Sequence, residues 1–562
     1  MRKIIVLAVL LLAVLAFFVR RHPHDDINPA AFLPDDTVIY ADQHQAAARS
    51  QRFLASPLGK AITSIDLPGL LHDLAVPMDV QNDLEKRFGK FRVFTESKIT
   101  AELLSDRFAV AILPWRDWMG KPGVLPDVRR QFVLLCKPRH GVRTIELLSS
   151  IFGGGLKIET VPYGKYSLKR FKNDEVSFVA CAADGWLLAA FEERALRESL
   201  DIFDAGKGSL AGSEKFRAIT AGLSQSEQII YLRLYALASL VKDALADMPA
   251  NDRDALAGLF DVEPGLEAFA YGNWLDHGIV EQRMHIAFVP DQASAAVRKL
   301  LAAPPQKDAI LPHLRDNLML YFHTAVTDWS ALGRLNAEDR AMVEDFSGHS
   351  LDELQQMLGG GASHLLVRKD ENNQTLPLPL INFCVAATAP EKLDETVSSL
   401  LAKFGIDMNK GKFRDATYQV WSKGPEKNLR FYSALWQGRW CLGNSPDFFK
   451  EIVEPSPAAA SLVAAKDFKA IGGGIDHPVH SLMYIRVDQS LDLLHDVCAG
   501  LAIILAVKDR ELSQKVKLVN ERLIFPVFDG LKMYKRSLSR GLVEDNMLKI
   551  DIRTSMAPPE GK

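Results

Sequence analysis

Cysteine is scarce in this chain of 562 residues: Cys136, Cys181, Cys384, Cys441 and Cys498 are the five present. No two form a C-x-x-C, and the odd number excludes a fully paired disulfide framework. Most lie in apolar runs such as FVLLC, SFVAC, INFC or RWCLG. We therefore expect small, buried, unpaired core residues. Few cysteines also count against an oxidising compartment. An excess of positive charge is missing too. Lys+Arg is 67 against Asp+Glu 70, with no long run of one sign, which excludes a basic nucleic-acid footprint.

Catalytic signatures are absent as well. There is no H-E-x-x-H, G-x-S-x-G or G-x-x-x-x-G-K-[ST]. Ser239-Leu240-Val241-Lys242 is an S-x-x-K without the S-D-N and K-T-G that its chemistry needs, inside an amphipathic helical pattern. Gly153–Gly155 and Gly359–Gly361 follow helical runs and read as helix stops, not phosphate cradles; Gly472–Gly474 is a third triplet. Asp35-Asp36 fits turn chemistry ahead of a strand. His285, His323 and His480 fall in or beside strands without partners at ligand spacing, so each is expected to be a satisfied structural histidine. Trp115 and Trp118, in a loop closed by Gly120 and Pro122, are expected to cap a sheet edge, with a membrane or partner contact as the alternative. No catalytic, cofactor-binding or metal-binding residue is assigned.

What the sequence does contain begins at Met1-Arg2-Lys3, followed by an apolar run from Ile4 to Val19 and then Arg20-Arg21. As a helix, sixteen residues reach about 24 Å at about 1.5 Å each, short of a hydrocarbon core of ~30 Å unless the flanking arginines snorkel. We expect an uncleaved anchor over residues 1–21, with a cleaved signal peptide as the alternative, and a linker over residues 22–30. The flanking charges balance, so orientation follows from the usual export of what succeeds a lone N-terminal segment. The expectation is a single-pass protein of the bacterial inner membrane with its body outside the cytoplasm.

The body reads as two copies of one pattern. SFVACAADGWLLAAFEERALRESL from Ser177 matches RFYSALWQGRWCLGNSPDFFKEIV from Arg430, and Gly438 lies 253 residues after Gly185. Each is a strand, a two-residue turn ending in Gly, a second strand and an acidic helix. SLAGSEKFRAI matches SLVAAKDFKAI at an offset of 252, and IIYLRL matches LMYIRV at 253. Further matches run upstream and downstream in the same order. Mixed strands and helices without strict alternation indicate an α+β fold with largely antiparallel sheets, one repeat over residues 31–300 and another over 306–556. The tight turns place Cys181 opposite Leu188 and Cys441 opposite Ala434. In the second copy the offset grows to 265 at Gly265 and Gly530, so 12 extra residues extend a helical arm. Its apolar part, Val497 to Val507, is too short to span a bilayer.

LPDDTVIYAD, SPLGKAI at Ser56, GWLLAAFEERAL and SEKFRAI followed by IIYLRL, with their second-copy echoes, resemble a bacterial family designated domain of unknown function 3352. The resemblance covers most of the chain. It implies a single-anchor envelope protein with a long body and supplies no catalytic residues. The expected function is a non-enzymatic, membrane-tethered interaction or scaffold module, held to the membrane by its N-terminal helix and offering the second-repeat arm to a protein partner. The alternatives are a hydrolase or transferase with a dispersed site, or a carrier of an apolar ligand.

Overall fold

The computed structural model describes residues 27–82, 107–115, 128–137, 157–172, 177–237, 263–329, 337–370, 379–403, 406–422, 430–454, 460–472 and 477–557. The N-terminal apolar segment, Trp118, the Gly153–Gly155 triplet and the Ser239–Lys242 tetrapeptide lie outside these residues. Two compact units result, one of Met1–His277 with Glu281–Ala293 and one of Gly278–Val280 with Ser294–Lys562.

The first unit contains β1 (Ile39–His44), β2 (Arg107–Ile112), β3 (Phe132–Lys137), β4 (Lys157–Tyr163), β5 (Tyr166–Lys172), β6 (Ser177–Ala183), β7 (Trp186–Ala190), β8 (Gln228–Leu232), β9 (Leu266–Asp276) and β10 (Ile279–Phe288). They pair in the order β4-β5-β6-β7-β3-β2-β1-β8-β9, antiparallel at every step, with β10 beyond β9. β6 and β7 read SFVACAA and WLLAA, rich in β-favouring and small apolar residues, and both are buried almost throughout. Among the described residues five helices accompany the sheet: α1 (Ala46–Ala55), α2 (Pro57–Ser64), α3 (Leu67–Asp73), α4 (Glu193–Ala205) and α5 (Glu214–Thr220). Ser56 caps α2 by accepting from Gly59 N, and Ser213 caps α5 by accepting from Phe216 N.

The second unit contains β11 (Leu320–Thr324), β12 (Ser363–Arg368), β13 (Leu380–Val385), β14 (Asp407–Phe413), β15 (Ala416–Ser422), β16 (Arg430–Trp436), β17 (Arg439–Gly443), β18 (Ser481–Arg486), β19 (Tyr534–Glu544) and β20 (Met547–Met556). Their order is β14-β15-β16-β17-β13-β12-β11-β18-β19-β20, again antiparallel at every step. The same strand order therefore occurs in both units. Tyr40 faces Tyr231 across β1 and β8, as Tyr321 faces Tyr484 across β11 and β18. Helices here are α6 (Ala295–Ala302), α7 (Ala337–Ser347), α8 (Leu351–Leu358), α9 (Pro390–Lys403), α10 (Pro446–Val453), α11 (Lys466–Gly472), α12 (Val487–Lys508), α13 (Arg510–Val519) and α14 (Phe525–Leu531). Trp436, Tyr432, Phe449 and Phe468 are fully buried in its core.

The expected hairpin turns form. Asp184 and Gly185 have φ of 44° and 81°, and Gln437 and Gly438 have 47° and 71°. Both pairs occupy the left-handed region that a two-residue turn of this hand requires. Cys181 faces Leu188 and Cys441 faces Ala434. Gly359 ends α8 with φ 67°, as a helix stop.

The thiols depart from expectation at one place. Cys384 on β13 and Cys441 on β17 are direct cross-strand partners with Cα atoms 4.1 Å apart, and they form a disulfide. That separation suits a non-hydrogen-bonded antiparallel pair. The odd count excludes a fully paired framework but not a single bridge, and β13 and β17 meet only because the sheet places them side by side. Cys136 and Cys181 are buried free thiols, and Cys498 is partly exposed.

Candidate functional site

Two features of the second unit stand out: a buried polar cluster and a helical arm. The cluster begins with the register of β11 and β12, which sets His323 directly opposite His364. Their rings stack with centroids 4.7 Å apart, and both residues are 1% exposed. Asp308 lies ahead of the short turn Leu311–His313, where its Oδ1 accepts from Ile310 N at 2.9 Å and Leu311 N at 3.1 Å. The Tyr321 hydroxyl donates to its Oδ2. His364 Nε2 is 3.5 Å from Asp308 Oδ1. No ring nitrogen of His323 or His364 has a partner of good hydrogen-bond geometry.

The electrostatics follow from burial. Desolvation pushes the His323 imidazole down to about 4, although the Asp308 charge opposes it. Burial alone would raise the Asp308 carboxyl. The hydrogen bond and charge of His364, the charge of His323 and the Tyr321 hydroxyl together hold it well below the usual range. Burial and the adjacent carboxylate both push the Tyr321 phenol well up. Arg439, at the start of β17, feels the Asp308 charge from a half-buried position.

This corrects the expectation for His323. His285 and His480 are satisfied structural histidines as expected: His285 Nδ1 lies 2.6 Å from Ile219 O, while His480 Nε2 lies 2.9 Å from Ala303 O and its Nδ1 accepts from Val543 N. His323 instead faces a second histidine and a carboxylate, brought near by strand order and not by spacing. Asp35 and Asp36 form the expected turn ahead of β1, with Thr37 Oγ1 donating to Pro34 O. Trp115 is half-buried just past β2 with an unpartnered indole N–H.

The first unit shows a different solution at the same register position. Tyr40 and Asp42 on β1 correspond in register to Tyr321 and His323 on β11. Asp42 is 1% exposed and is gripped by Arg107 at 2.9 Å and 2.5 Å, with the Tyr40 hydroxyl at 3.1 Å. Asn28 caps the turn at Pro29–Phe32 as Asp308 caps the turn at Leu311–His313. Here the carboxylate sits on the strand and a guanidinium answers it.

The arm is α12 with α13. The sequence placed its apolar part at Val497–Val507, but the helix begins at Val487 and continues for 22 residues. Among the described residues it is the one helix long and apolar enough to cross a membrane, by length and composition. Its first half is fastened to the unit: Arg536 pairs with Asp488 at 2.8 Å, Lys532 with Asp492 at 2.9 Å, and Lys369 with Asp496 at 3.6 Å. Its second half carries Ile503 at 71% and Val507 at 88% exposure. α13 folds back along it, Ser513 Oγ donating to Ala502 O at 2.6 Å and Asn520 Nδ2 to Cys498 O at 3.0 Å.

A shallow depression lined by His313, Leu318, Phe448 and Ile452 has about 10 Å³ of space for a water-sized sphere, far below the ~300–1,000 Å³ usual for small-molecule sites.

No family model and no curated protein matches the chain. Among solved structures, TP0453 in crystal form III aligns with 50% of this chain and 87% of its own, at 8% identity and a TM-score of 0.25. Crystal form I aligns with 47% and 80%, at 10% identity and a TM-score of 0.22. Scores this low carry no structural argument.

Proposed function

We propose that the protein is a non-enzymatic, membrane-tethered envelope module built from two copies of one α+β fold, and that the tip of its helical arm rests in the lipid leaflet beside the anchor. The observation that carries this reading is the exposed apolar second half of α12. A patch of Leu501, Ile503, Ile504 and Val507 facing water would be costly, at roughly 25 cal/mol for each Å² of apolar surface. From Val497 to Val507 the helix runs about 16 Å. The ion-paired first half stays with the unit, and Lys508, Asp509 and Arg510 at the turn would be costly at the bilayer midplane. The arm lying along the interface, its apolar face in the leaflet and these charges at headgroup level, therefore fits better than end-on insertion or a full crossing.

The shared strand order supports duplication, and the resemblance to the 3352 family supports an envelope location. The Cys384–Cys441 disulfide supports a body outside the cytoplasm, because such bridges persist in oxidising compartments. A reporter active only outside the cytoplasm, fused after Lys562, should be active and sediment with membranes.

The arm is tested in native membranes with a lipid-soluble photoactivated carbene and peptide mapping of the full chain. Labelling is expected in the Ile4–Val19 segment and at Leu501–Val507, and the second site should fall to background in Ile503→Asp/Val507→Asp. Labelling of Ile4–Val19 alone would assign the arm to a protein partner and refute lipid contact.

A further inference from the structure

The polar cluster of the second unit carries an inference independent of the membrane reading. We infer that Asp308, His323 and His364 form a binding site for a divalent cation of the zinc class. Their ligand atoms all lie within 4.8 Å of one another. Ligands about 2.0–2.2 Å from a tetrahedral ion stand about 3.3 Å apart, so a shift of roughly 1 Å closes the set. Two imidazoles and one carboxylate are a donor set that suits borderline divalent ions and leaves a fourth position open.

Three observations point the same way. First, the cluster is preorganised: Asp308 Oδ2 is held by Tyr321 and Oδ1 by two backbone amides, an outer shell of the kind that fixes a ligating carboxylate. Second, cross-strand pairing fixes the two rings against each other, so bringing their nitrogens together costs little further chain entropy. Third, no buried ring nitrogen of either histidine has a hydrogen-bond partner of good geometry; the nearest acceptor of His364 Nε2, Asp308 Oδ1, is 3.5 Å away. Unpaired buried polar atoms cost roughly 1–3 kcal/mol each and call for an explanation. A cation satisfies one nitrogen on each ring.

The first unit supplies the contrast. At its corresponding position the Arg107 guanidinium answers Asp42, and no histidine pair exists there: position 42 is Asp, and its β2 partner is Ala109. The second unit places two imidazoles where the first places a fixed ion pair. The single Asp308 carboxylate and the nearby Arg439 charge favour an ion bound largely by nitrogen over Ca²⁺ or Mg²⁺, which need several oxygens.

The experiment uses the full chain in detergent, stripped with a chelator and titrated with Co(II) and then Zn(II). We expect an intense tetrahedral Co(II) band, displaced by Zn(II). At a hundredfold excess over Kd, Zn(II) should raise the thermal midpoint by about 5–10 °C, and Mg²⁺ should not. His323→Ala, His364→Ala and Asp308→Asn should each lose one equivalent of bound metal, while His277→Ala, on an exposed turn, retains it as in the parent. Equal stoichiometry in the parent and all three variants would overturn the site, the metal then lying on surface histidines. Should the variants fail to fold, the parent decides. A weak octahedral Co(II) spectrum, or no rise in midpoint, overturns the site; a tetrahedral band with a rise supports it.

Discussion

Replacing Arg107 by methionine isolates the charge pair at the centre of the first unit. Methionine keeps the length and apolar stem of the side chain but leaves Asp42 buried without its partner. Asp42 is 1% exposed and the Arg107 side chain 12%, so neither charge is relieved by water. Breaking such a pair costs roughly 3–5 kcal/mol, because the remaining charge is uncompensated. The Arg107 guanidinium also lies over the Trp186 ring at 5.8 Å, a cation–π attraction that methionine cannot reproduce. The sign of the pH dependence follows from Asp42. Burial raises its pKa, but the charge and hydrogen bonds of Arg107 outweigh burial and hold it below the usual value. A depressed folded-state pKa contributes stability above the unfolded value of about 3.9, and that contribution is lost as pH falls through the folded value. In the variant burial, the largest effect, is opposed only by the His44 charge and the Tyr40 hydroxyl, so Asp42 takes up a proton at higher pH than in the parent and the damage shrinks as pH falls. The first unit is read apart from the second by hydrogen exchange of β1 and β8 peptides, parent against variant at each pH. At pH 7 protection should fall roughly 10²- to 10⁴-fold, and at pH 5 by clearly less. Asp42→Asn/Arg107→Met should recover part of the loss. A loss below about tenfold, or an equal ratio at both pH values, refutes the reasoning.

Three further outcomes follow from the same structure. Cys441→Ser, or reduction of the parent, opens a loop of 57 residues and should cost the second unit up to about 4 kcal/mol. A thiol reductant should then lower the parent's thermal midpoint and leave the variant's unchanged. Gln437→Asn places a residue better suited to φ 47° in the second hairpin and should raise the midpoint by roughly 1–3 °C, measured by differential scanning fluorimetry. His480→Leu removes the acceptor for Val543 N, a hydrogen bond of 3.1 Å. It should cost roughly 1–3 kcal/mol, seen as faster exchange at Val543.

Local chemistry was legible in the sequence and long-range adjacency was not. Asp184-Gly185 and Gln437-Gly438 announced their hairpins because a left-handed two-residue turn is encoded in those two residues alone. From the turns, the facing of Cys181 with Leu188 and Cys441 with Ala434 followed by counting. The same counting could not find Cys384 opposite Cys441, because β13 reaches β17 by passing over the hairpin strands that lie between them in the chain. His323 read as an isolated core residue for the same reason. Asp308 comes 15 residues earlier and His364 comes 41 residues later, and only the seating of β12 beside β11 brings them together. A usable signal existed in the comparison of the two units: position 42 carries an aspartate where position 323 carries a histidine, a change of charge type at a buried site. The arm was legible as an insertion, but the pairing of Asp488, Asp492 and Asp496 with Arg536, Lys532 and Lys369 was not, because those partners are distant in the chain.

The bond between Cys384 and Cys441 makes residues 384–441 a covalent ring within the second unit. A protease that cuts the chain anywhere between them creates two new ends, yet leaves one molecule joined through sulfur. Without thiol the nicked protein migrates as a single species, and with thiol it separates into two pieces. The stretch from β14 to β16 can therefore be severed once without the unit losing either half.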